Sequence, residues 1–204
     1  MKITAVAFDY GGVIAYPPGP EALEELAALA GLDRQTLESL MWRYREDYDR
    51  GLVSGKAYYK ALLARKGVHP GDGVLEKMAA LDSAGWTHIN PGTVRLMEDL
   101  KGAGLKLGIL SNMPHEFLVM ARERFPVFKL PQAGIFSCEL GLVKPGEAIY
   151  RALLSALGCE PGGTVFFDDM PANVDAAVSL GIRAFVWRDV EAARKQLRDL
   201  AVPV

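Results

Sequence analysis

Three short, mainly apolar runs in this chain of 204 residues each stop at a polar loop: residues 3–8 at Asp9, residues 105–110 at Ser111-Asn112, and residues 164–167 at Asp168-Asp169. A brief apolar run bounded by turn formers is the pattern of a strand buried on both faces. Residues 184–187 and 134–136 are further strand candidates of the same kind. The segments between them carry helical spacing. Asn90-Pro91 suits an N-cap and a first-turn proline, with Val94, Met97 and Leu100 on one face beyond it. Pro145 predicts the start of another helix, whose apolar residues Ile149, Tyr150, Leu153, Leu154 and Leu157 run to Gly158. Val174, Ala177 and Val178 mark a third, closed at Gly181. Val190, Ala193, Leu197 and Leu200 mark a last one, with Arg194, Lys195 and Arg198 on its wet face. Alternating strand and helix predicts an α/β fold on a Rossmann-like parallel sheet with right-handed crossovers.

Residues 17–88 break that alternation. Pro17, Pro18 and Pro20 end the first strand-and-turn unit, and the amphipathic segments 21–30, 33–50, 54–66 and 72–81 follow with no strand between them. Leu37, Leu40, Met41, Tyr44 and Tyr48 form one helical stripe, Ser54 suits an N-cap, and Gly31, Gly51 and Gly67 fall where helices should end. The expectation is a small all-helical insert, residues 17–88, in a core made of residues 1–16 and 89–204.

Composition narrows the function classes. Half of the residues are hydrophobic (50%) and 24% are charged, which suits a core that needs no covalent staples. A net charge of −2 with both signs interspersed gives no polybasic surface for nucleic acid or membrane. Cys138 and Cys159 have neither disulfide-framework nor metal-ligand spacing and read as small buried thiols. No signal-peptide pattern is found, and no apolar run approaches the ~20 residues that cross a bilayer. The expected setting is the cytoplasm.

Ligands of an open parallel sheet bind at the carboxyl ends of its strands. Asp9, Ser111-Asn112 and Asp168-Asp169 are placed there by the reading above. Converging acids repel unless a cation or protons offset them, and carboxylates beside backbone carbonyls are the hard ligands that Mg²⁺ prefers. Lys144 stands ahead of the expected proline-started helix, where the macrodipole disfavours a cation; a lysine there invites an anionic site. Gly11 and Gly12 let the backbone N–H groups that follow Asp9 approach a ligand closely. Singly, each feature has a plain structural explanation: turn former, helix cap, helix start, exposed lysine. Together, in this order and each at a strand end or loop, they are much harder to dismiss as incidental.

The same residues carry a resemblance. Phe8-Asp9-Tyr10-Gly11-Gly12-Val13 looks like the first motif of the haloacid dehalogenase-like hydrolases. Leu110-Ser111-Asn112 resembles the second, Gly141-Leu142-Val143-Lys144-Pro145 the third, and Phe166-Phe167-Asp168-Asp169 through Asn173 the fourth. The helical insert lies where that family places its C1-type cap, and the branch most similar is that of the epoxide-hydrolase N-terminal phosphatases. The resemblance implies a Mg²⁺-dependent phosphohydrolase acting on a small phosphorylated metabolite. It implies that Asp9 is the nucleophile, taking the phosphoryl group as an aspartyl-phosphate, and that Lys144 neutralises charge. Ser111, Asn112, Lys144 and the backbone of Tyr10 and Gly11 would hold the phosphate. Asp9, Asp169 and the Gly11 carbonyl would ligate the metal, with Asp168 and Asn173 behind them.

Gly11 departs from the pattern, because the family carries its general acid/base, an aspartate, at that position. General acid–base catalysis supplies ~10²–10⁴-fold, about 3–5 kcal/mol of barrier. Phosphohydrolysis that tolerates this loss would favour leaving groups needing little protonation, such as aryl, acyl or anomeric phosphates. His88 and His69 are the insert residues considered as substitute proton donors. Two other readings stand beside the phosphohydrolase. One is a phosphate- or metabolite-binding protein with little turnover. The other is a dehalogenase in which Asp9 attacks carbon, for which Asp168-Asp169 has no evident use. Specificity is expected in the insert, from among Trp42, Arg43, Tyr44, Tyr48, Trp86 and His88, with closure about residues 15–20 and 85–90.

Overall fold

The computed structural model describes residues 2–204. Its strands are β1 (Ala5–Phe8), β2 (Lys106–Ser111), β3 (Ala133–Phe136), β4 (Thr164–Asp168) and β5 (Arg183–Val186). They form one parallel sheet in the order β3-β2-β1-β4-β5. All four residues of β1 and all five of β4 are buried, because helices cover both faces. Alternation sorts the side chains. Val6, Phe8, Leu107, Ile109, Val165 and Phe167 face one core, and Ala5, Ala7, Leu110 and Phe166 face the other. Fully burying a side chain such as Phe8 or Phe167 stabilises the fold by roughly 1.5–3 kcal/mol each.

Five helices follow β1 within residues 17–88: α1 (Pro20–Ala30), α2 (Arg34–Arg43), α3 (Glu46–Asp49), α4 (Gly55–Ala64) and α5 (Asp72–Gly85). Among the described residues they have their own apolar cluster, which includes Leu26, Leu37, Met41, Tyr59, Leu62 and Met78. Asp33 and Ser54 cap α2 and α4 by accepting from Thr36 N and Ala57 N. Gly31 ends α1 in the left-handed region, φ +64°, a conformation that glycine adopts without a Cβ penalty. The helix expected over 33–50 is instead two, interrupted at Tyr44 and Arg45. The break turns the Arg45 guanidinium inward, 2.9 Å from Asp82 of α5, a long-range demand that no local periodicity records.

The remaining helices are α6 (Pro91–Gly102), α7 (His115–Arg124), α8 (Ser137–Leu140), α9 (Glu147–Leu157), α10 (Pro171–Ser179) and α11 (Val190–Asp199). Asn90 caps α6 as expected, accepting from Gly92 N and Thr93 N. Pro145 does not open α9. Residues 143–146 form a turn closed by Gly146 N–H on the Val143 carbonyl at 2.9 Å, with a cis Lys144–Pro145 bond, and the helix begins at Glu147. Lys144 therefore sits in a loop two residues before the N-cap, where the helix-dipole argument has little force.

Two segments join the helical unit to the sheet, and they pair with each other. Tyr16 N–H donates to the His88 carbonyl and Asn90 N–H to the Ile14 carbonyl, both at 2.8 Å. A second junction lies opposite. Gly55 N–H meets the Glu116 carboxylate at 2.9 Å, and the Ser137 hydroxyl donates to the Asp49 carbonyl. Among the described residues no helix is long and apolar enough to cross a membrane.

Candidate active site

Register builds the site. Phe8 pairs with Ile109 and with Phe167, so Asp9 and Asp168 leave neighbouring strands side by side, with Ser111 at the end of β2. Asp9 is 7% exposed. Its Oδ1 accepts Tyr10 N–H at 2.6 Å and stands 2.9 Å from Lys144 Nζ. The same ammonium donates to Asp168 Oδ2 at 2.6 Å. Asp168 Oδ1 accepts from Met170 N and Asn173 Nδ2, both at 2.9 Å. Both oxygens of Asp168 are thus engaged within the protein, while Asp169 is exposed at the rim. Lys144 N–H donates to Asn112 Oδ1 at 2.8 Å, and Asn112 Nδ2 donates back to the Lys144 carbonyl at 3.0 Å. That reciprocal pair fixes the Lys144 backbone and leaves one Asn112 N–H for a ligand.

Charge in the site is unbalanced. Burial pushes the Asp9 carboxyl up to about 7, against the pull of Lys144 and a Ser111 hydrogen bond, and the neighbouring Asp168 charge adds to the rise. Burial also works against the Lys144 charge, but Asp9 and Asp168 outweigh it and hold that pKa above its ordinary value. Partial desolvation, then the Asp168 charge, raises Asp169. Oxygens of Asp9, Asp168 and Asp169 lie within 4.8 Å of one another. Three carboxylates against one ammonium leave two negative charges, and the donors are oxygens throughout. The donor set fits a small hard divalent cation. Gly12 permits the close approach: its φ is +72°, and a Cβ there would stand 2.5 Å from Asp169 Oδ2.

Above this floor lies a cavity of about 850 Å³, roofed by the helical unit through Trp42, Arg45, Asp49 and Trp86. The two indoles meet edge to face at 6.4 Å. The buried Arg45 holds Asp49 at 3.1 Å and Asp82 at 2.9 Å, and its guanidinium lies 5.5 Å from the Trp42 ring centre. At Gly11 the space a side chain would enter is taken: a Cβ there would come 3.0 Å from Trp86 Cζ3. The Tyr10 hydroxyl fastens this segment by donating to the Trp86 carbonyl at 2.8 Å.

Asp9, Tyr10, Gly11, Ser111, Asn112, Lys144, Asp169 and Asn173 all line this one cavity, and Asp168 lies buried behind it. Tyr10 is a core residue, its ring 5.3 Å from both Phe117 and Phe128, and its N–H is taken by Asp9. Of the six specificity candidates, Trp42 and Trp86 line the cavity. Tyr48 instead stacks on Tyr58 at 4.8 Å inside the helical unit. His69 and His88 are exposed and are not among the residues that line the cavity. Arg45 and Asp49 went unmarked in the sequence. Their i,i+4 opposite charges are an available signal, but such pairs are common on helix surfaces and only their burial distinguishes them. The two cysteines are partly rather than fully buried.

Comparison with known proteins agrees with this geometry. Residues 3–181 match the haloacid dehalogenase-like hydrolase family. Phosphatase MT3486 of Mycobacterium tuberculosis is 28% identical over 209 residues, spanning 98% of this chain and 95% of that protein. Bifunctional epoxide hydrolase 2 of Rattus norvegicus is 35% identical over 66 residues, 32% of this chain and 12% of that protein, so the epoxide-hydrolase likeness is confined to a third of the chain. The fold superposes on that of the family enzyme BT-2542 of Bacteroides thetaiotaomicron, solved with magnesium and inorganic phosphate, with a TM-score of 0.73 at 20% identity over 91% of this chain and 94% of that one. Motif residues gathered around one cavity at the carboxyl end of the sheet, one parallel α/β core and a match over most of the chain lead to one conclusion: the chain belongs to the haloacid dehalogenase-like hydrolases.

Proposed function

We propose that the protein is a Mg²⁺-dependent phosphohydrolase that cleaves a small phosphorylated metabolite through an aspartyl-phosphate on Asp9. The observation that carries the reading is the Lys144 ammonium, 2.9 Å from Asp9 and 2.6 Å from Asp168, on the floor of a roofed cavity. The carboxylate excess around it supports Mg²⁺ as cofactor, with Asp9, Asp169 and the Gly11 carbonyl as ligands and Asp168 and Asn173 behind them. Bound there, Mg²⁺ supplies charge neutralisation and orientation of the phosphoryl group.

The chain's own residues then have these tasks. Asp9 Oδ attacks phosphorus, and the bond to the leaving oxygen breaks. Lys144 offsets charge on the carboxylate before attack and on the phosphoryl oxygens during it. Ser111 and the free Asn112 N–H hold a phosphoryl oxygen. Water then attacks phosphorus and returns Asp9. Residues 17–88 act as a cap over the sheet domain, excluding bulk water and choosing the organic part of the substrate through Trp42 and Trp86.

One observation favours a second reading. Trp86 fills the position of the missing acid at Gly11, which suits a metabolite-binding protein with slow turnover. Phosphate release from a metabolite panel, with Mg²⁺ and with a chelator, separates the two. Magnesium-dependent release supports the phosphohydrolase. Binding of inorganic phosphate with no release from any compound supports the binding protein, and chelator-insensitive dehalogenation points to carbon attack.

A further inference from the structure

With Gly11 lacking a carboxyl and both histidine candidates outside the cavity, the proton for the leaving group needs another source. Two insert carboxyls line the cavity, Glu46 and Asp49. The Glu46 side chain is 65% exposed and paired with Arg50 at 2.8 Å, whereas that of Asp49 is 13% exposed. Resting on the phosphohydrolase reading, we infer that Asp49, at the end of α3, is the catalytic acid and base that replaces the one absent at Gly11.

Its placement is unusually well determined for a residue on the insert. The Ser137 hydroxyl donates to the Asp49 carbonyl and accepts Met113 N–H at 2.9 Å, tying the Asp49 backbone to the loop that carries Ser111 and Asn112. Gly51, at φ +73°, seats the following turn so closely that a Cβ there would stand 2.8 Å from the Cys138 carbonyl. Arg45 Nε holds Oδ1 at 3.1 Å, and Oδ2 has no protein donor among the described contacts. Asp49 is therefore fixed relative to the floor of the site even though it belongs to the roof.

Its protonation suits the task. Burial pushes the Asp49 carboxyl up to about 6, opposed by Arg45, reinforced by Asp82, and lowered slightly by Lys144. Tyr58 and Cys138 also lie within reach of its charge. A carboxyl poised near neutrality can both give and take a proton. In the first half-reaction the Asp49 proton goes to the leaving ester oxygen as its bond to phosphorus breaks and the Asp9–phosphorus bond forms. In the second, the Asp49 carboxylate takes a proton from water as that water's oxygen bonds to phosphorus. The Asp9–phosphorus bond breaks, releasing hydrogen phosphate and leaving Asp49 protonated. With Asp49 in this role, the preference for easily expelled groups expected from Gly11 alone is relaxed.

The test compares first-turnover rates of the Mg²⁺-loaded protein on p-nitrophenyl phosphate and p-nitrobenzyl phosphate, which share a ring but differ in the basicity of the leaving oxygen. Asp49→Asn is expected to slow the benzyl ester by ~10²-fold or more while the phenyl ester stays within several-fold. Asp49→Glu should restore part of the benzyl rate. Retained phenyl-ester burst shows that the variant is folded, and Arg45 keeps Asp82 as its partner in it. An unchanged benzyl rate, or an equal fall on both esters, overturns the assignment to Asp49 and leaves the phosphohydrolase standing. Wild-type protein that releases nothing from either ester overturns both.

Discussion

The indole of Trp86 stands where a side chain on Gly11 would point, 3.0 Å from a Cβ built there. The ring is held by the Tyr10 hydroxyl on its own carbonyl and by Trp42 edge-on at 6.4 Å. Restoring an aspartate at this position is therefore expected to fail. Gly11→Asp should lower the melting temperature, since overpacking costs about 1–3 kcal/mol, without raising the rate on alkyl phosphates. Combining it with Trp86→Ala should recover stability beyond additivity, which thermal melts of the double-mutant cycle measure.

Gly12 is constrained by its backbone and by its neighbour together. Its φ of +72° and the 2.5 Å approach of Asp169 to a built Cβ leave no room for alanine. Gly12→Ala should cost about 1–2 kcal/mol from the left-handed backbone alone and displace Asp169. The Mg²⁺ concentration giving half-maximal thermal stabilisation should rise; an unchanged value would separate Gly12 from metal binding.

Lys144 is 4% exposed between two carboxylates. Lys144→Met leaves Asp9 and Asp168 buried together, and removing one partner of a buried pair costs about 3–5 kcal/mol. Denaturant midpoints should fall accordingly and recover in part on adding Asp168→Asn. Turnover should be lost in both variants.

Asp49 gives stability a pH dependence of known sign. Its folded-state pKa, raised by burial from 3.8 to about 6, stabilises the protonated protein; that contribution is full below 3.8 and is lost as pH rises through about 6. Asp49→Asn does not titrate. Relative to wild type, its melting temperature should improve across that interval, and a difference that stays flat would show that Asp49 is not held as described.

Much of the fold is legible because local pattern and tertiary position coincide at the strand ends. The expected runs 105–110 and 164–167 became β2 and β4 almost residue for residue, and Asn90-Pro91 opened α6. The failures are places where distant groups decide. Arg45 breaks a helical stripe to reach Asp82, and a turn at Val143 displaces the start of α9. Within the site, Asp9, Ser111-Asn112 and Asp168-Asp169 were legible as a set because they stand at the ends of β1, β2 and β4, whereas Lys144 lies in a loop. The contact of Trp86 with Gly11 and the place of Asp49 in the cavity roof were not, since each brings an insert residue to the sheet domain from far away in sequence.

Rapid acid quench of the wild-type protein with Mg²⁺ and p-nitrophenyl phosphate, followed by peptide mass spectrometry, interrogates the nucleophile itself. The expected result is a phosphoryl adduct on the peptide carrying Asp9, absent with chelator and absent in Asp9→Asn, which should also release no phosphate. Phosphate release by Asp9→Asn at the wild-type rate, or an adduct mapping to another residue, would contradict the assignment of Asp9.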